Sequence, residues 1–138
     1  MFDRWEQRVP AGTSEENRLR LECKISPGLL TDLVVYFPPG CHRLVRSRVS
    51  LGEKPIAPRS AKGWLAADGY AVELHHVNEL ISENRPVLVW ELWSPQTDWP
   101  HTLWMTAEWI SAEVPYEQQA VMVLRDVVKV LNYMIGIK

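Results

Sequence analysis

Few side chains in these 138 residues are of types that do chemistry. His75, His76 and His101 are candidate metal ligands. Adjacent residues of a strand point to opposite faces, so at most one of His75 and His76 joins a common site. Cys41 and His42 pair a thiol with a base, but sequence neighbours seldom hold nucleophile geometry. Glu73, Glu79, Glu83, Glu91 and Glu108 are scattered over strand positions, and no two stand out as a general acid and base. Pro38-Pro39-Gly40 has no helix after it to receive a phosphate. These residues predict no catalytic, cofactor or metal site.

Recognition by contact is the remaining possibility. The chain carries seven Trp. Trp90, Trp104 and Trp109 fall within strand patterns and are expected in the core. Trp64, Trp93 and Trp99 fall at strand ends or in loops, where an indole anchors a loop, fills a protein interface or stacks on a sugar. Arg43, Arg46, Arg48 and Arg59 form a local basic run, read either as a solvated sheet face or as a surface of salt bridges between subunits.

Composition bounds the class. Apolar residues make up 46% and charged residues 23%, which suits one globular domain. Fifteen Lys and Arg against seventeen Asp and Glu give a net charge of −2, which argues against a nucleic-acid binder. Two Cys cannot build a disulfide scaffold, and Cys23 and Cys41 are expected as buried thiols, with a bridge as the alternative. Residues 1–8 hold no apolar run of signal-peptide length, so synthesis in a cytoplasm is expected. Arg125, Asp126, Lys129 and Asn132 interrupt the apolar stretch 120–137, so no membrane span is expected there.

The elements that must position these residues are mostly strands. Residues 1–17 read as a polar arm whose Phe2 and Trp5 are candidate contacts with a neighbour. Strict alternation then begins: Leu19, Leu21, Cys23 and Ile25 face one way, and Arg18, Arg20, Glu22 and Lys24 the other. Residues 29–37 are apolar on both faces and predict a central strand. Further strands are predicted over 44–51, at Trp64-Leu65, over 70–75, 87–93 and 102–110. Pro and Gly turns separate them, with no intervening helix. Six to eight antiparallel strands at such intervals point to a sandwich or barrel, and the expected fold is a jelly-roll-like β-sandwich over 18–112.

From about Pro115 the apolar period lengthens to between three and four, predicting a C-terminal α-helix within 113–138. Val121, Leu124, Val128, Leu131 and Ile135 form one stripe. Val123, Val127, Val130 and Met134, with Ala120, form a second. Together they cover more than half the circumference, whereas docking on one sheet uses about 100°. The surplus is read as a shallow second contact within the chain, as the core of a homo-oligomer, or as a membrane-surface contact.

The segment Val35-Tyr36-Phe37-Pro38-Pro39-Gly40-Cys41-His42-Arg43-Leu44-Val45 is followed by Gly63-Trp64 and Asp68-Gly69. Trp90-Glu91-Leu92-Trp93 and Trp99-Pro100-His101-Thr102 come after. Over about residues 19–110 this set resembles small β-sandwich virion structural proteins of tailed bacteriophages and environmental viruses. The resemblance implies a capsid-decorating or other particle-surface role, with other virion proteins as partners and the virion as location. The long apolar C-terminal segment departs from that group. The expected function is a non-enzymatic, self-assembling virion subunit, with a carbohydrate-binding module using Trp64, Trp93 and Trp99 as the alternative.

Overall fold

The computed structural model describes residues 1–60, 62–82, 87–111 and Lys129. Nine strands run in chain order: β1 Phe2–Val9, β2 Leu19–Lys24, β3 Gly28–Phe37, β4 Arg46–Leu51, β5 Lys54–Ala57, β6 Tyr70–Leu74, β7 Glu79–Ile81, β8 Val87–Trp93 and β9 His101–Ser111. They form two antiparallel sheets. The five-stranded sheet has the order β1-β9-β3-β6, with β7 also on β3; the four-stranded sheet has the order β2-β8-β4-β5. Four of the pairs are nested: β4 with β5, β3 with β6, β2 with β8 and β1 with β9. The chain is thus a long hairpin folded over on itself.

One hydrophobic cluster joins the inner faces. Cys23, Val49, Leu88, Trp90 and Leu92 from the four-stranded sheet meet Leu33, Val35, Leu103, Met105 and Ala107 from the other. Trp90 is fully buried, and its indole Nε1 donates to Ser47 Oγ at 2.7 Å. That partner removes the cost of enclosing a polar N–H.

The alternation in β2 is as the sequence predicts: Cys23 and Ile25 are buried, while Arg20, Glu22 and Lys24 are exposed. β3 is flanked by β9 on one side and by β6 and β7 on the other. Its register shifts between Leu30 and Asp32, so Leu30 and Leu33 are both buried despite their odd spacing. Thr31 takes up the shift, donating from Oγ1 to the Glu108 carbonyl.

Gly28 opens β3 opposite Ser111 of β9. A Cβ placed there would lie 2.0 Å from the Ile110 carbonyl oxygen, so the two backbones approach in a way only glycine permits. Gly28→Ala is expected to cost about 1–3 kcal/mol, the usual range for forced overpacking. Urea unfolding of the variant, with its midpoint compared to wild type, measures this.

The structure corrects the reading of residues 2–9 and adds strands near Pro55 and at Glu79–Ile81. Residues 2–9 are no free arm but an edge strand, paired in register with β9 from Phe2↔Glu108 to Val9↔His101. Trp5 lies opposite Met105 and packs partly buried on the core, and Val9 is fully buried. Phe2 is 61% exposed. Between the strands predicted from sequence the structure adds β5, around Pro55, and β7. The predicted C-terminal helix, with every stripe residue from Val121 to Ile135, lies outside the described residues, as does Glu83. Lys129 is described: it is helical and exposed.

Candidate functional site

β8 is the sequence feature from which the site grows. Leu88, Trp90 and Leu92 point into the core, so Val89, Glu91 and Trp93 point outward from the four-stranded sheet. All three outward residues are nevertheless buried. Register explains what covers them. Glu91 lies opposite Arg20 of β2 and Arg48 of β4, and Trp93 lies opposite Arg46. Long arginine stems cover a neighbour's surface while keeping the charge in reach of water.

Trp64 completes the cover. Leu65 bridges to Ser47 by two backbone hydrogen bonds of 2.7 and 3.0 Å, extending the sheet beside β4. Leu65 packs against the core, which turns Trp64 to the outer side. There Trp64 meets Trp93 edge-on, with centroids 6.3 Å apart and planes at 74°. The Arg46 guanidinium lies 4.5 Å from the Trp64 ring centroid, and that of Arg48 lies 5.3 Å from the Trp93 ring centroid. Cations over indole faces are favourable pairings.

Glu91 is the buried charge at the centre. Arg18 Nε donates to its Oε2, and Arg48 Nε lies 3.4 Å from its Oε1. Burial alone would raise its pKa. The hydrogen bond from Arg18 and the charges of Arg48 and Arg18 outweigh that and hold it below the ordinary glutamate range. A lowered folded-state pKa contributes stability above the ordinary value, lost as pH falls through the folded value. Glu91→Gln is expected to cost on the order of 1–3 kcal/mol at neutral pH, since two arginines lose their counter-charge. The gap to wild type should close as the solution is acidified through the carboxylate range. Thermal melts of both proteins across that range test it; a gap independent of pH would remove the ionised Glu91 as its source.

Beside this network lies an open depression of about 270 Å³ lined by Arg20, Arg48, Ser50, Gly52, Glu53, Pro55 and Glu91. Arg20 is exposed and makes no ion pair among the described residues. The Trp93 Nε1 is buried and has no hydrogen-bond partner among them.

Trp64, Trp93 and Trp99 differ in exposure. Trp64 is 45% exposed and Trp99 is 74% exposed, but Trp93 is fully buried, which corrects its reading as an exposed contact. The structure brings Trp64 and Trp93 together; Trp99 stands in the 94–100 loop with no ring partner among the described residues. Arg46 and Arg48 sit on aromatic rings of their own chain, and Arg59 donates to Glu79 at 2.7 Å and to the Val77 carbonyl.

The other reactive types are held in separate places. His75 Nδ1 is 2.9 Å from Asp32 and its Nε2 is 3.5 Å from Glu73, and the hydrogen bond to Asp32 raises its pKa. Among the described residues no three His, Cys, Asp or Glu are placed to hold a metal ion. His42 faces Asp68 at 3.6 Å. Cys23 and Cys41 are free, buried thiols; burial pushes them up to about 12 and about 11, so both are protonated near neutrality. On the outer face of the five-stranded sheet, Tyr36 stacks on Trp104 at 4.8 Å and Arg4 covers the same indole at 4.5 Å.

The strand order and the shared core define the class of this protein as an antiparallel two-sheet β-sandwich. No family model matches the chain, and no curated protein matches it. Among solved structures it is similar to one entitled "Crystal Structure of FLHE", at 11% identity and a TM-score of 0.35, over 78% of this chain and 96% of that one.

Sequence reasoning put Arg46 and Arg48 on the outer face and treated Glu91 as one carboxylate among several. Their meeting depends on β4 lying beside β8, which local pattern does not encode. The available signal was the alternation in β8, which puts Glu91 and Trp93 on the face opposite Trp90.

Proposed function

We propose that this chain is a non-enzymatic structural subunit that assembles with copies of itself through an α-helix within 113–138. Its setting is a virion, as a capsid-decorating or other particle-surface protein made in the host cytoplasm and in contact with other virion proteins. The observation that carries the reading is the strand order. With β7 set aside, the nested pairs and the orders β1-β9-β3-β6 and β2-β8-β4-β5 correspond to a jelly roll, an arrangement found in viral capsid and lectin domains. Strand order does not dictate function, so the assembly part of the reading rests on the two apolar stripes. Lys129, helical and exposed, falls on the polar side of that pattern. Leu80 at 72% and Phe2 at 61% exposure add apolar surface on the five-stranded sheet.

Light scattering on the purified chain tests the reading. A mass that is a multiple of the single chain is expected. A single-chain mass at every concentration up to roughly 100 µM, where even weak specific association is populated, would reject it.

A further inference from the structure

We infer that the outer face of the four-stranded sheet is a binding site for an anionic saccharide, a sugar ring bearing a carboxylate. Arg18, Arg20, Arg46 and Arg48 surround Glu91 on this face, with Glu22 and Glu53 at its margin. Glu91 is engaged by Arg18 and Arg48. Arg20 has no such engagement among the described residues and lines the depression together with Ser50 and Gly52. A guanidinium takes a carboxylate by two parallel N–H donors, and a hydroxyl such as that of Ser50 suits a sugar hydroxyl.

The aromatic part lies at the right separation. Ser50 of the depression lies opposite Val89, and Val89 and Trp93 are four residues apart on one face of β8, about 13 Å along the strand. Trp64 covers Trp93. The depression and the Trp64 indole, which keeps 45% of its surface exposed although Arg46 lies over its ring, thus share one face within the reach of a short oligosaccharide. Sites of this kind combine an apolar ring surface with a few placed polar groups. The Arg48–Glu91–Arg18 network fixes the floor, so the face is organised before a ligand arrives.

Trigalacturonate is the probe, titrated into the isotope-labelled full chain and followed by NMR, with cellotriose as its neutral counterpart. Shifts are expected at Arg20, Arg48, Ser50 and the Trp64 indole. Arg20→Ala and Trp64→Ala, both at exposed positions, should each weaken binding about ten-fold while leaving the remaining spectrum in place. No shifts at roughly 10 mM trigalacturonate would overturn the site. Cellotriose binding as tightly, or Arg20→Ala binding as well as wild type, would overturn its selectivity for the anion. The Leu124→Asp, Leu131→Asp variant should bind the probe unchanged, which separates this result from the question of assembly.

Discussion

Leu124→Asp combined with Leu131→Asp is expected to reduce the light-scattering mass to that of one chain while the β-type circular dichroism is unchanged. Each leucine buried between copies contributes about 1.5–3 kcal/mol. Each aspartate that replaces it either resists burial or must be neutralised at further cost. Micromolar association is worth about 8 kcal/mol, so two such changes at one interface suffice to abolish it. On the proposed reading both leucines face other copies rather than the core that runs from Val9 to Trp109, so the strands should not register the change. An unchanged mass would remove the C-terminal segment from assembly. Loss of the β signal would instead show that the sandwich depends on that segment.

Trp90→Ala carries the largest expected effect on folding. The side chain is fully enclosed between the sheets, and deletion of so large a buried group costs about 3–5 kcal/mol. Total stability of a domain this size is on the order of 5–15 kcal/mol, so a large share is at stake. The Ser47 hydroxyl also loses the indole N–H that it accepts at 2.7 Å. Trp90→Phe keeps most of the volume and should fall in between. Chemical unfolding of the three proteins gives the order; a Trp90→Ala variant within 1 kcal/mol of wild type would show that the core collapses around the gap.

How much of this was readable beforehand depends on where the information lies. β2 was plain because one face is wet and the other dry, so alternation survives in sequence. β1 escaped because Asp3 and Gln7 alternate with Phe2, Arg4 and Glu6, leaving only Trp5 and Val9 as inward apolar marks. β5 and β7 are four and three residues long, and Pro55 within β5 argues against a strand except at a sheet edge, which is where β5 lies. Trp93 was misjudged for another reason. Its cover comes from Trp64, twenty-nine positions earlier by the numbering, through a bridge at Leu65 that no local period announces. The Arg–Glu91–Trp face was therefore legible as a set of outward residues but not as a contact.

The pairing of β1 with β9 has a practical consequence. The Met1 amine donates to the Trp109 carbonyl at 2.8 Å, and the Trp109 amide donates back to the Met1 carbonyl at 3.0 Å. Anything fused ahead of Met1, whether a purification tag or a fluorescent reporter, is thereby delivered to within a few residues of the point where the chain leaves β9 for its C-terminal segment. A label meant to be silent in assembly work belongs instead at the opposite end of the strands, at the Asp68-Gly69 turn that leads into β6, where the Gly40 amide donates to Asp68.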